Sequence, residues 1–156
     1  MNRNRSLPFI TKDGSEIRSI LDRTNSSVAN QSLAEATLPP GAATLAHRHP
    51  RTEEIYYILR GQGLMRVGEA ERAVGPGDGI LIPPGNLHQI RSTGAEPLVF
   101  LCCCAPSYSH EDTTLEPRGE SHEPRTADRS ARQRSRGAEE RSEVLRLEPR
   151  TPNLEP

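Results

Sequence analysis

From about residue 13 to about residue 108, apolar and polar positions alternate in short runs separated by turn-forming residues. The runs are SEIRSIL, QSLAEATL, AATLAH, EEIYYIL, GLMRV, ERAV, GILIP, LHQIRS and PLVFLCCC. Between them stand PPG at 39–41, RGQG at 60–63, GPGDG at 75–79, PPG at 83–85 and TGAEP at 93–97. A period of two with Gly/Pro punctuation predicts a series of short strands, and no window holds the 3.6-residue period of a helix. The expected fold class is therefore all-β, a sandwich or barrel. No internal repeat is visible.

The alternation in EEIYYIL raises a chemical question. Ile55, Tyr57 and Leu59 share one face, while Glu54, Tyr56 and Ile58 share the other. If Tyr56 and Ile58 face the core, Glu54 does too. A buried carboxylate without a partner is costly, so Glu54 needs a cation, a proton or a metal. His47 and His49 lie just upstream, two residues apart and hence on one strand face. Side-by-side imidazoles suit chelation of one ion, and Pro50-Arg51-Thr52 supplies a turn back toward Glu54. His88, at the head of LHQIRS, is a fourth candidate that a barrel could bring alongside.

These residues carry a resemblance to a known superfamily. GAATLAHRHPRTEEIYYILRG, 41–61, resembles the first cupin motif, with Gly41, His47, His49, Glu54 and Gly61 at the motif's spacing. Glu53 stands one residue too early for it. GDGILIPPGNLHQIRS, 77–92, resembles the second motif through Gly77, Pro83, Gly85 and His88, with Ser92 where the motif closes on Asn. The segment between the motifs, 62–76, is about as short as such segments become. The resemblance spans about residues 31–105. It implies an antiparallel jelly-roll barrel of six to eight strands (a double-stranded β-helix), open at one end. One divalent metal ion would sit inside on His47, His49, Glu54 and His88. The most similar members are the small single-domain cupins, often labelled mannose-6-phosphate isomerase-like or dioxygenase-like. Such labels share a fold and a metal cradle, not a demonstrated reaction.

Composition changes the picture at the ends of the chain. Hydrophobic residues make up 33%, Pro reaches 14 and Trp is absent, which suggests a compact part diluted by a disordered one. Three zones are expected: a flexible N-terminus at 1–12, the cupin domain at 13–108, and a disordered Arg/Glu/Ser/Pro-rich tail at 109–156. That tail has almost nothing to bury against its ordering entropy. Within it AEERSEVLRL, 138–147, could form one marginal helix. RSARQRSRG, 129–137, lacks interleaved aromatics and is flanked by acidic residues, so it reads as solvated rather than as a nucleic-acid patch. His110 and His122 read the same way, and Arg60 and Arg66 as surface residues near strand ends.

A formal net charge of −1 gives no global field toward nucleic acid or membrane. The longest apolar run, LVFLCCCA at 98–105, is far too short to span a bilayer, and the N-terminus lacks a secretory apolar run. A cytoplasmic protein is expected. The adjacent Cys102, Cys103 and Cys104 point alternately to opposite faces and read as small buried hydrophobes in a reducing compartment.

Three imidazoles and one carboxylate on an octahedral ion leave two positions open, as in catalytic rather than sealed sites. Mn2+ and Fe2+ suit these donors well, and Zn2+, Ni2+, Co2+ and Cu2+ acceptably. The expected function is a metalloenzyme of oxygenase, isomerase or lyase type acting on a small polar organic substrate. The alternative is a non-catalytic cupin that binds a small molecule as a sensor or carrier. Tyr56 is a candidate to line the pocket, with plain core packing as the other reading. Ile55, Tyr57 and Leu59 would face outward, an apolar stripe that a homodimer would cover.

Overall fold

The computed structural model describes residues 6–116, and every regular element among them is a strand. The expectations for the rest of the tail, including 129–137, the 138–147 helix and His122, lie outside the described residues. The strands are β1 (Phe9–Ile10), β2 (Glu16–Leu21), β3 (Ser32–Leu38), β4 (His47–Arg48), β5 (Glu53–Arg60), β6 (Gly63–Val67), β7 (Ala70–Val74), β8 (Gly79–Ile82), β9 (His88–Ser92), β10 (Leu98–Ala105) and β11 (Thr114–Leu115).

They form two antiparallel sheets, one ordered β1-β2-β3-β10-β5-β8 and the other β11-β4-β9-β6-β7. The inner faces enclose a core built on Ala36, Ile58, Met65, Ile90, Leu98 and Phe100, all 2% exposed or less. This is the all-β class that the alternation implies and the jelly-roll arrangement that the cupin resemblance implies. β5 shows the pattern best: Glu54, Tyr56 and Ile58 are buried, while Ile55, Tyr57 and Leu59 are 42–45% exposed.

Two features differ from the sequence expectation. The run AATLAH is not a strand along its length. Ala43 makes one isolated bridge to Arg91, Thr44 N–H donates to the Ile90 carbonyl (3.0 Å), and Leu45 N–H donates to the Asp13 carbonyl (2.7 Å). Only His47–Arg48 is strand. Divided hydrogen bonding to two different segments keeps the run from pairing with either.

The second difference lies at the ends. β1 and β11 fall outside the interval 13–108, and Asp112 and Thr113 are buried. Their order comes from long-range polar contacts rather than apolar content. Asp112 accepts from Arg51 Nε (2.9 Å), the Thr52 N–H (3.0 Å) and Thr52 Oγ1 (2.9 Å). Lys12 Nζ donates to the Thr113 carbonyl at 2.6 Å, and Glu116 N–H to the Ala46 carbonyl at 2.9 Å. Hydropathy patterning carries no sign of such contacts.

Candidate metal centre

Pairing of β4 with β9 sets His47 directly opposite His88. β5 enters the other sheet between β10 and β8, with Glu54 opposite both Cys104 and Ile82. His49 follows β4 by one residue, and its carbonyl accepts from Gly85 N–H at 2.7 Å. That bond ties the His-x-His segment to the 83–85 turn that delivers His88. Gly85 has φ of 78°, a conformation that suits glycine.

The four side chains meet inside the barrel. One donor atom from each of His47, His49, Glu54 and His88 lies within 4.8 Å of all the others, and all four residues are buried. Donors about 2.1 Å from one ion stand about 3.0 to 4.2 Å apart around an octahedron, so the observed cluster is close to that span. Glu54 Oε2 is 3.4 Å from His49 Nε2 and 3.3 Å from His88 Nε2. Neither approach forms a hydrogen bond, and among the described residues both Glu54 Oε2 and His88 Nε2 are buried without a hydrogen-bond partner. Orphaned buried polar atoms are rare and call for an occupant. A cation among these donors would satisfy them, so the residues fit a metal ion.

Each imidazole is oriented by its other nitrogen. His47 Nδ1 is 2.8 Å from the Leu45 carbonyl and His88 Nδ1 is 3.1 Å from that of Asn86. A carbonyl only accepts, so Nδ1 carries the proton and the Nε2 lone pair faces the centre. His49 Nδ1 lies 3.3 Å from Thr113 Oγ1, which itself donates to the Ser109 carbonyl at 2.9 Å. With its proton engaged there, the Thr113 hydroxyl accepts from His49. All three rings thus present Nε2 to one point.

The electrostatics agree. Burial alone would raise the Glu54 carboxyl, but His49 and His88 outweigh it and hold it far below the ordinary carboxylate value. Burial, with repulsion from His88, pushes His47 below 6.5. Burial acts the same way on His49, but contact with Glu54 overrides it and raises that group. Cys104 Sγ donates to Glu54 Oε1 at 3.3 Å, and burial beside that carboxylate drives its thiol strongly upward.

A narrow cavity of about 40 Å3 adjoins the cluster, lined by residues that include His47, His49, Glu54, Tyr56, Cys102, Cys104, Asp13, Tyr108 and Thr113. Tyr56 therefore both lines the cavity and packs in the core, 4.6 Å ring to ring from Phe100. His110 is exposed and stays outside the site, as does Arg60. The sequence reading missed Asp13, Tyr108 and Thr113, because none belongs to a periodic run. Reading the cysteines only as small hydrophobes missed the bond from Cys104 to Glu54. The equal parity of 102 and 104 was the available signal, and the pairing of β10 with β5 sets them opposite Tyr56 and Glu54.

Residues 34–104 match the family model of the cupin domain. An uncharacterized protein of Methanocaldococcus jannaschii is 51% identical over 108 residues, covering 69% of this chain and 86% of that protein. The oxalate-binding protein of Thermotoga maritima is 37% identical over 69 residues, 44% of this chain and 57% of that protein. Among solved structures, a predicted oxalate decarboxylase from Thermotoga maritima superposes with a TM-score of 0.60 at 27% identity, covering 67% of this chain and 96% of that one. With the two-sheet barrel and the buried three-histidine, one-glutamate cluster inside it, the chain belongs to the cupin family.

Proposed function

We propose that the protein is a mononuclear divalent-metal cupin that acts on a small polar organic molecule. The observation that carries this reading is the pair of orphaned buried atoms, Glu54 Oε2 and His88 Nε2, at the point toward which three Nε2 lone pairs converge. His47, His49, Glu54 and His88 would hold the ion, with Mn2+ or Fe2+ preferred for these donors. When bound, such an ion supplies a Lewis acid with open positions for a chelating ligand.

The chain's own residues do the rest. Thr113 and the Leu45 and Asn86 carbonyls lock the imidazoles in the ligating tautomer. Cys104 donates to Glu54 Oε1 and leaves Oε2 aimed at the centre. Ile17, Ala34 and Tyr56 help exclude bulk water from the cavity. The cavity is small, about 40 Å3, and suits a small ligand. A small bidentate hydroxy-carbonyl or carboxylate compound suits it better than a sugar phosphate.

One observation favours the second reading, a metal-dependent binding or sensor cupin. Tyr56, Cys102 and Cys104 are kept protonated by burial and by the Glu54 charge, so they offer no base at neutral pH. The test is metal content first and turnover second. Purified protein should carry close to one divalent ion per chain, and His49→Ala should lose most of it. Full occupancy in a His47→Ala/His49→Ala double variant would falsify the ligand assignment. Conversion of a small hydroxy-carbonyl compound that stops on chelation marks an enzyme, and tight binding without conversion marks a sensor.

Two further proposals accompany this one. Ile55, Tyr57, Leu59 and Leu81, 42–55% exposed on the outer face of β5 and β8, form an apolar stripe suited to a homodimer. The cysteines are free thiols, which fits a reducing, cytoplasmic setting.

A further inference from the structure

Among the described residues, one carboxylate lining the cavity beside the ligand cluster stands outside the ligand set. Asp13 lies in the turn between β1 and β2 and is only 6% exposed. Its Oδ1 accepts from the hydroxyls of Thr11 and Ser15, the latter at 2.9 Å. Its Oδ2 accepts a longer bond from Ser15 Oγ (3.2 Å) and reaches to 4.0 Å from His47 Nε2. Asp13 lines the cavity but stands outside the four-residue cluster. The turn that carries it is anchored through the bond from Leu45 N–H to the Asp13 carbonyl (2.7 Å).

Two further observations bear on what enters. Among the described residues no lysine or arginine lines the cavity, and Lys12 next door spends its ammonium on the His110 and Thr113 carbonyls. Tyr108 lines the same cavity, and among the described residues its buried hydroxyl has no hydrogen-bond partner. With a divalent ion bound, the positive charge of two is balanced by Glu54 and Asp13. A dianionic ligand would then carry uncompensated charge into a buried site already holding two carboxylates, which is strongly unfavourable at low dielectric. An uncharged ligand adds no such charge. A hydroxyl on it can donate to Asp13 Oδ2, and an oxygen can accept from Tyr108.

We propose that Asp13 is the specificity-determining residue of this cavity. It selects a small uncharged hydroxy-carbonyl compound, whose hydroxyl it accepts, and it rejects dicarboxylates such as oxalate. The inference rests on the metal-cupin reading above and narrows its substrate class.

The test uses full-length protein loaded with Co2+, whose visible absorption reports ligand entry, with calorimetry as a second readout. Oxalate and hydroxyacetone are titrated into wild type and Asp13→Asn. Free oxalate is intrinsically the stronger chelator, so the change between variants decides, not the absolute preference. Asp13→Asn should tighten oxalate at least tenfold and leave hydroxyacetone unchanged or severalfold weaker, with Co2+ content equal to wild type. Equal oxalate affinity in the two proteins, within twofold, overturns the proposal while leaving the metal reading intact. Failure of wild type to load Co2+ overturns both.

Should Asp13→Asn not fold, wild type alone decides through oxamate, which has oxalate's shape with one carboxylate made an amide. Relative to free Co2+, the protein-bound ion should disfavour oxalate at least tenfold more than oxamate. An equal penalty for the two overturns the role of charge.

Discussion

His49 couples the metal site to protons. Its folded pKa is raised above 6.5 by Glu54, so below 6.5 the protonated ring stabilises the metal-free fold. That contribution is lost as pH rises through the raised value. His47, pushed below 6.5, acts oppositely: it costs stability as pH falls below 6.5, where the unfolded chain takes up the proton first. Glu54, with its lowered value, contributes above about pH 4.5 and loses that contribution as pH falls toward its folded value. A bound ion needs every imidazole neutral, so metal binding must displace the His49 proton. Apparent metal affinity, measured by competition with a chelator, is therefore expected to climb with pH, starting to level off only above 6.5. A pH-independent affinity between pH 5.5 and pH 8 would contradict the His49 assignment.

At the scale of elements, turns and terminal segments hold the site. Gly61, between β5 and β6, has φ of 84°, and a Cβ there would lie 2.6 Å from the Pro97 carbonyl oxygen. Left-handed backbone costs an L-residue about 1–2 kcal/mol, and a backbone clash adds to it. Gly61→Ala should thus destabilise the metal-free protein by at least about 2 kcal/mol, read by chemical denaturation. The segment 109–116 belongs functionally to the barrel, since Thr113 orients His49 and Asp112 holds Arg51 and Thr52. Truncation after Glu116 is expected to preserve metal content and thermal midpoint, because the sequence of 117–156 offers little apolar surface. Truncation before Glu111 removes Asp112 and Thr113 and should lower both.

The whole molecule presents an asymmetry between its sheets' faces. Among the described residues most large apolar side chains of the long strands turn inward, yet Ile55, Tyr57, Leu59 and Leu81 are turned out together on neighbouring strands. β8 is also the edge of its sheet. A second barrel laid against this stripe would bury the patch and shield the edge. Light scattering should then give twice 17.2 kDa, with Tyr57→Glu shifting the mass toward the monomer and leaving the bound ion in place. A wild-type monomer at micromolar concentration would rule the arrangement out.

Much of this was legible in residues 41–92. Period-two alternation places Glu54 inward because neighbouring side chains on a strand must point to opposite faces. The same parity couples His47 to His49. Those are local constraints, and the sequence by itself determined them: an all-β chain, an inward carboxylate and an imidazole pair. Which segments lie beside one another is not local. The pairing of His47 with His88, and the approach of Asp13, Tyr108 and Thr113 to the cavity, join residues up to 100 positions apart. Polar contacts made by Lys12 and by Asp112 and Thr113, in stretches without hydrophobic rhythm, close that part of the barrel. Hydrogen bonds of that kind depend on atomic positions rather than on composition, so only the tertiary structure decided them.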